Sequence, residues 1–252
     1  MSQSVDTWYN IIIYLLIITM NTMNVLINDR LSSMDMKCEM HYFIVSPLET
    51  PNKDEAIKII EPSVISFKKH SGVKASAFIY NVTPDYVYFI CANHSGLINA
   101  GGELEVIKLS NGTEKYYIPF TVVDTNSSAD ATNFKIPISE FNSEDLRYIK
   151  QANFNDSNID IGSQVILHTK YWKLNTCLSR TSTINNIYEG CLNGQSIPTI
   201  IIETNGIAKG GQSGSPLIDY YGNVVGVCSR GDSSASDFSK ISEVQNRLQL
   251  YE

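Results

Sequence analysis

The hydrophobic and polar positions of this chain alternate in short runs, a pattern typical of β-strands. Each run is about four to eight residues long and ends at Gly, Asn, Asp or Pro. These runs predict strands at residues 64–67, 74–80, 86–91, 104–109, 116–123, 164–169, 199–203, 216–219 and 223–229. Many short strands with frequent turns predict an all-β protein built from barrels or a sandwich.

Helical spacing is seen near the C-terminus, where residues 240–250 place Ile241, Val244 and Leu248 on one face. We therefore expect a C-terminal helix. Residues 139–160 hold no convincing strand and separate two strand-rich halves. The chain is accordingly divided into an N-terminal hydrophobic segment or extension (1–40), a first lobe (41–145) and a second lobe that ends in the helix (146–252).

The first forty residues contain an apolar run at 11–20 within the window 8–27, and no Lys or Arg precedes it. Asn residues interrupt the window, which is short of the about 20 apolar residues of a membrane span. A secretory signal fits the length but lacks a basic start and an Ala-x-Ala site. A signal peptide, a membrane anchor through residues 8–27 and a buried or wrongly assigned start all stay open. The first two predict a secreted or membrane-anchored protein, and the third allows an intracellular one.

Composition narrows the class of partner. Hydrophobic residues make up 43% of the chain, so a sizeable core is expected. The net charge is −7, with 19 basic and 26 acidic residues, which argues against a nucleic-acid surface. Paired CxxC sites, HExxH and a P-loop are missing, so we expect neither a metal site nor a cofactor. Of the five cysteines, Cys177 and Cys191 could pair in an oxidising compartment.

The segment 210–217, with the sequence GGQSGSPL, carries the strongest chemical signal. A serine hydroxyl is a weak nucleophile, so it needs a base and N–H groups aimed at the developing oxyanion. Glycines next to Ser213 allow the backbone amides of residues 211–213 to turn inward as a small concavity of donors. The segment therefore predicts an activated serine at position 213.

The longer stretch GGQSGSPLIDYYGNVVGV resembles the nucleophile region of trypsin-like (chymotrypsin-fold) serine proteases, with a pattern nearest to the bacterial Do-type, glutamyl-endopeptidase and viral branches. The resemblance implies two six-stranded antiparallel β-barrels with a C-terminal helix. It also implies a serine endopeptidase that acts on protein or peptide substrates through an acyl-enzyme. Ser213 would be the nucleophile, and the amides of Gly211 and Ser213 would hold the oxyanion.

In this family the triad runs His, Asp, Ser along the chain, so the base should precede Ser213. Among the four histidines, His94 follows an apolar strand and matches the strand that delivers the catalytic histidine. Asp130 falls in register with the Do-type segment that carries the triad aspartate, together with the downstream Phe-Lys-Ile of residues 134–136. Asp124 lies in the same stretch and stays open as an alternative acid.

The same resemblance predicts the substrate-binding residues. Ile207, six residues before Ser213, corresponds to the base of the primary pocket, and an apolar base disfavours cleavage after Lys or Arg. Ser229, Arg230 and Gly231 match the strand segment that pairs with the substrate backbone. We therefore expect a preference for apolar or small side chains before the cut.

Position 212 adds a prediction on activation. Gln212 stands where trypsin and chymotrypsin have an aspartate that pairs with a newly exposed N-terminal amine. Without that carboxylate the ion pair cannot form, so activity should not require a trypsin-type activating cleavage.

Two other classes of protein were weighed. An esterase of the α/β-hydrolase type is excluded because it needs a histidine after the nucleophile, and none follows Ser213. A catalytically inactive binding module on the protease fold stays possible, since fold does not fix function. The irregular sequence around Asp130 and the glycosylation sequon at Asn93, beside the proposed base, favour that alternative.

Overall fold

The computed structural model describes residues 52–69, 71–97, 102–107, 115–171 and 176–251. The chain divides into two compact units, residues 1–49 and 50–252, and everything described lies in the second. The apolar run at 8–27, together with Cys38, His41 and His70, falls outside the described residues. Among the helices of the described ranges, none is long and apolar enough to cross a membrane.

The first barrel is a closed antiparallel sheet of six strands in the order β1-β2-β3-β6-β5-β4. Its strands are β1 (Val64–Lys68), β2 (Lys74–Val82), β3 (Tyr86–Ala92), β4 (Gly102–Ile107), β5 (Lys115–Asn126) and β6 (Ala131–Pro137). Pairing of β1 with β4 closes the sheet, so neither of these two strands is left as an unpaired edge.

The second barrel repeats this arrangement in the order β10-β11-β12-β9-β8-β7. Its strands are β7 (Gln164–Tyr171), β8 (Thr176–Gly190), β9 (Thr199–Thr204), β10 (Pro216–Ile218), β11 (Val224–Gly231) and β12 (Ser236–Lys240). The described residues also form three α-helices, α1 (Lys53–Ile60), α2 (Ser143–Tyr148) and α3 (Ile241–Arg247), and three single-turn 3-10 helices. The predicted all-β class, with two six-stranded antiparallel barrels and a C-terminal helix, is confirmed.

Each barrel has its own apolar interior, and a third apolar cluster fills the seam between them. Strand β3 contributes to two of these cores at once. Phe89 and Cys91 point into the first barrel, whereas Tyr88 and Ile90 point into the seam. Because both faces are covered, β3 is an unbroken apolar run instead of an alternating one.

Helix α3 covers the seam and explains the helical spacing seen in the sequence. Ile241, Val244 and Leu248 are all buried in the seam cluster, and Leu248 follows directly after the helix. The helix spans Ile241–Arg247, somewhat shorter than the predicted 240–250.

Three strands were missed in the sequence because polar residues interrupt their apolar pattern: β6, β8 and β12. In β6, Thr132 and Asn133 are completely buried. Asn133 donates through Nδ2 to the carbonyl of Gln249, 2.7 Å away, in the C-terminal tail. A partner this distant in sequence cannot be inferred from local periodicity, so the segment looked too polar for a core strand.

Candidate active site

The end of β3 presents His94 at the rim of the first barrel. A short 3-10 turn, Asn93–Ser95, follows the strand directly. Ser95 Oγ donates to the carbonyl of Ala92 at 2.6 Å, and Gly96, with φ 75°, closes the turn. The turn lifts the imidazole out of the sheet and leaves the His94 side chain 36% exposed.

Asp130 is held in a left-handed conformation, with φ 45°, at the start of β6. Few residues other than glycine adopt this conformation, and Asp and Asn are the commonest among them. The preceding turn is fixed by the Asn126 side chain, whose Oδ1 accepts from Ala129 N–H at 2.9 Å. The turn buries the Asp130 carboxylate, which is only 2% exposed, beneath the imidazole of His94.

The carboxylate of Asp130 holds His94 at two points. Oδ1 accepts the backbone N–H of His94 at 2.9 Å, and Oδ2 lies 2.7 Å from the ring atom Nδ1. A carboxylate at Nδ1 favours the tautomer that carries its proton there, which leaves Nε2 free to accept. Nε2 lies 2.7 Å from Ser213 Oγ. The three side chains therefore form one continuous hydrogen-bonded chain.

Ser213 lies on a tight turn whose geometry depends on glycine at both sides. Gly211 has φ 94° and Gly214 has φ 82°. The N–H of Gly214 donates to the carbonyl of Cys228 at 2.8 Å, and the carbonyl of Ser213 accepts from Ser76 N–H at 2.9 Å. The turn is thus tied to the second barrel on one side and to the first barrel on the other.

Two backbone amides beside the serine are unused within the described part of the chain. The N–H of Gln212 donates to the carbonyl of Lys209 at 3.0 Å, but neither Gly211 N–H nor Ser213 N–H has an acceptor among the described residues. Two neighbouring free amides on a glycine turn can bind a developing oxyanion.

Two further side chains donate to Asp130. Ser229 Oγ on β11 donates to Oδ2, and Asn193 Nδ2 donates to the same oxygen at 2.8 Å. Ser229 was predicted to bind substrate backbone, and the structure places its side chain on the carboxylate. Asn193 was missed, because in the sequence its only signal is the Asn-Gly pair, which indicates a turn.

Asp124, the alternative acid, is engaged elsewhere. Its Oδ2 accepts the backbone N–H of Gln249 at 2.8 Å, and its Oδ1 accepts that of Thr125 at 2.8 Å. Asp124 therefore anchors the C-terminal tail, while the carboxylate in contact with His94 is that of Asp130.

A cavity of about 230 Å³ lies beside the serine and the histidine. Its lining residues are His94, Asn193, Ala208, Lys209, Gly210, Ser213, Cys228, Ser229, Arg230 and Gly231. Ile207 is not among them. Its side chain is 37% exposed, and its carbonyl accepts from the guanidinium of Arg180. Arg230 lines the entrance and pairs through Nε with Asp237 Oδ2 at 2.5 Å.

The cysteines of the described residues are all free thiols. Cys91 and Cys228 are fully buried near Asp130, and burial raises the pKa of both to about 12. Cys191 is exposed, and Cys177 donates to Glu61 Oε1 at 3.0 Å, so the two do not form the disulfide that their spacing allowed.

The remaining described histidine, His168, is buried in the second barrel, where its Nδ1 lies 2.8 Å from Ser179 Oγ. Burial lowers its pKa to about 4, so the ring is neutral at physiological pH. Within the described ranges, no group of three or more His, Cys, Asp or Glu side chains could hold a metal ion.

A scan of protein-family models finds no match to this chain, and neither does a search of curated proteins. Solved structures do match. The Rv3671c protease from M. tuberculosis, in its active form, superposes with a TM-score of 0.58 at 18% identity, over 76% of this chain and 82% of that one. An HtrA-type protease with a tripeptide gives 0.61 at 15% identity, over 77% and 62%.

A third match, Deg5, has a TM-score of 0.58 at 14% identity and covers 77% of this chain and 90% of that chain. At these identities the likeness establishes the architecture. Together with the two closed barrels, it confirms the resemblance drawn from residues 210–227: this chain has the double β-barrel fold of trypsin-like serine proteases.

Proposed function

We propose that this protein is a serine endopeptidase that cleaves peptide bonds through His94, Asp130 and Ser213. One observation carries the proposal: Ser213 Oγ, both ring nitrogens of His94 and Asp130 Oδ2 lie in one hydrogen-bonded chain with 2.7 Å at each step. This is the geometry in which a base can remove the serine proton while a carboxylate stabilises the resulting imidazolium.

In the acylation step, His94 Nε2 takes the hydroxyl proton as Ser213 Oγ attacks the scissile carbonyl carbon. The carbonyl oxygen becomes an oxyanion between the amides of Gly211 and Ser213. The imidazolium then gives its proton to the leaving amine, and the C–N bond breaks.

Deacylation repeats these steps with water as the nucleophile. His94 takes a proton from the water as its oxygen attacks the acyl-enzyme carbonyl, and returns it to Ser213 Oγ as the ester bond breaks. Asp130 keeps the ring oriented through its contacts with the backbone N–H and Nδ1 of His94.

The side chain of Gln212 braces the loop that carries the nucleophile. Gln212 is 1% exposed, and its Oε1 accepts the N–H of Lys209 at 2.7 Å while its Nε2 donates to Thr169 Oγ1 at 3.4 Å. A neutral amide at this position therefore ties the loop to Lys209 and to Thr169 on β7. We therefore infer that activity requires no trypsin-type cleavage to expose a new amine.

We infer a preference for small apolar side chains before the cut from the close approach of Gly231 to Ala208, two residues that line the cavity. A Cβ built at Gly231 would lie 2.7 Å from the carbonyl oxygen of Ala208 and 3.1 Å from its Cβ, so the space between them is too narrow even for a methyl group. Ser236 Oγ accepts the N–H of Ala208 at 2.6 Å and fixes that residue in place. Lys209 lines the same cavity and disfavours a cationic side chain. Faster cleavage of matched peptides after Lys or Arg than after Ala would reject this specificity.

The function is tested by covalent labelling with a fluorophosphonate, since a serine without an aligned base reacts slowly. The wild-type chain should label and hydrolyse peptides. Ser213→Ala should abolish labelling and lower kcat by about 10⁴- to 10⁶-fold. Ser233→Ala, on the exposed turn between β11 and β12, is the matched control and should label like wild type.

The alternative, a catalytically inactive binding module, predicts no labelling of the wild-type chain. The sequon at Asn93 favours it only if glycosylated. In the folded chain Asn93 Nδ2 donates to Ser127 Oγ at 3.2 Å and its Oδ1 accepts from Thr132 Oγ1 at 3.1 Å. A glycan on Nδ2 would disrupt this pairing beside the base, so we infer that the sequon is unmodified in the active protein.

A further inference from the structure

The loop between β8 and β9 contains a tight turn at Asn193 and Gly194. Their φ angles are 49° and 74°, and the N–H of Gln195 donates to the carbonyl of Leu192 at 2.9 Å. Asn followed by Gly is the preferred sequence for a turn in which both central residues are left-handed. Leu192 is fully buried and anchors the turn to the second barrel. Backbone preference alone therefore accounts for an Asn at 193.

The side chain of Asn193 nevertheless makes two contacts that a turn does not need. Its Nδ2 lies 2.8 Å from Asp130 Oδ2 and 3.2 Å from Ser229 Oγ. Asp130 belongs to the first barrel, whereas Asn193 and Ser229 belong to the second. The amide thus bridges the seam at the carboxylate that holds His94.

We propose that Asn193 is a positioning residue for the catalytic acid, a role that rests on the proposed function. Oδ2 of Asp130 receives three side-chain neighbours, His94 Nδ1, Ser229 Oγ and Asn193 Nδ2. With three directed partners, the carboxylate plane is fixed so that Oδ2 stays aimed at Nδ1. The amide also shares the negative charge of Oδ2 and thereby sets how strongly the imidazolium is stabilised.

The ionisable groups around the Asp130 carboxylate determine how the positioning role of Asn193 can be measured through the pH dependence of the rate. Beside Asp130 lie the thiols of Cys91 on β3 and Cys228 on β11, and burial raises the pKa of both to about 12. Lys69, which also acts on Cys91, donates to the carbonyl of Gly96, and Asp237 on β12 acts on Cys228. Because His94 is the proposed base, the acid limb of the pH–rate profile reports on the His94–Asp130 pair.

Two substitutions distinguish the contribution of the Asn193 side-chain amide from that of the backbone turn. Asn193→Gly keeps the left-handed turn and removes the amide, and Asn193→Asp also suits a left-handed residue but places a carboxylate against Oδ2. Gln195→Gly is the control, because it adds the same backbone freedom to the same turn at an exposed residue. Thermal melting of each full-length variant verifies that the fold is kept.

Asn193→Gly should lower kcat/KM by about tenfold, mainly through kcat, because it removes a hydrogen bond to a charged group. The acid limb of the profile should move to higher pH, since the unshared carboxylate stabilises the imidazolium more. Asn193→Asp should lower kcat/KM further, by about a hundredfold, through like-charge repulsion. Gln195→Gly should match wild type.

A purely structural turn predicts the opposite order, with Asn193→Asp close to wild type. That result, an unchanged profile in Asn193→Gly, or an equal loss in Gln195→Gly would overturn the role of Asn193. Where Asn193→Asp fails to fold, Asn193→Gly decides. Failure of the proposed function looks different: the wild-type chain would not label with fluorophosphonate at all, and the role of Asn193 would be refuted with it.

Discussion

The tightest glycine contact in the site is at Gly214, and replacing it by alanine tests how the two barrels hold the nucleophile. A Cβ at this position would lie 2.2 Å from the carbonyl oxygen of Ser76, 2.7 Å from the nitrogen of Ala92 and 3.0 Å from Cα of Cys91. All three are backbone atoms of β2 and β3, so no side chain can rotate away. The first barrel must therefore retreat from the second, or the turn that carries Ser213 must shift.

A matched control separates steric overlap from backbone strain. Gly162 has φ 94°, close to the 82° of Gly214, but a Cβ there meets nothing within 4 Å. Alanine in this conformation costs about 1–2 kcal/mol, so Gly162→Ala should lose about that much free energy of unfolding. Overpacking adds a further ~1–3 kcal/mol, which brings the loss for Gly214→Ala to about 2–5 kcal/mol.

The two variants are compared by urea denaturation and by the rate of fluorophosphonate labelling. Gly162→Ala should label at the wild-type rate, since its turn lies outside the site. Gly214→Ala should label at least tenfold more slowly, since displacing Ser213 weakens its 2.7 Å contact with His94. Equal losses of unfolding free energy in the two variants would refute the reasoning, because they would mean that the barrels separate at no cost.

Three further predictions follow from single side chains. Asp130→Asn should lower kcat by about 10⁴-fold, whereas Asp124→Asn should leave kcat near wild type and loosen only the tail at Gln249, as kinetics and melting would reveal. Burial lowers the pKa of His168 to about 4 from 6.5. Below pH 6.5 the unfolded chain therefore binds a proton at this histidine that the folded barrel excludes. The free energy of unfolding should fall by roughly 3 kcal/mol from pH 6.5 to pH 4. His168→Gln should remove that decline in urea titrations, and an identical decline would contradict it. Gln212→Glu buries an unpaired carboxylate, and burial raises the pKa of that carboxyl group. The free energy of unfolding of this variant should therefore be lower than that of wild type above about pH 5 and should rise toward the wild-type value as acid protonates the carboxyl group. An equal free energy of unfolding at pH 8 would show that the site is hydrated.

The features that the sequence predicted correctly are those formed by short contiguous stretches of the chain. The turn around Ser213 is one such stretch, because its glycines, its serine and the following hairpin are neighbours in the chain. The apolar strand that ends at His94 is another. Both barrels also follow from strand periodicity combined with the resemblance to a known fold, even though individual strands were missed.

What the sequence did not predict depends on contacts between distant segments. Helix α1 went unnoticed because only Ala56 and Ile60 of its residues are buried, too few to give a helical pattern. The partners of Asp130 show the same limit, since Ser229 is 99 residues away and Asn193 is 63 residues away. From the sequence alone, polar residues at such positions cannot be told from ordinary surface residues, because their hydrogen-bond partners lie far away in the chain.

The position of Asp130 explains why its segment looks irregular in the sequence. A left-handed aspartate must precede β6, and the strand must then bury Thr132 and Asn133, which a core strand avoids unless each polar group is paired. Thr132 Oγ1 donates to the side chain of Asn93, next to His94, and Asn133 donates to the C-terminal tail. The polar residues that weaken the strand pattern thus tie the start of β6, directly after Asp130, to the turn that carries His94 and to the C-terminal tail. Irregularity at this point is consistent with a working site, because a purely apolar start of β6 would lack these hydrogen bonds.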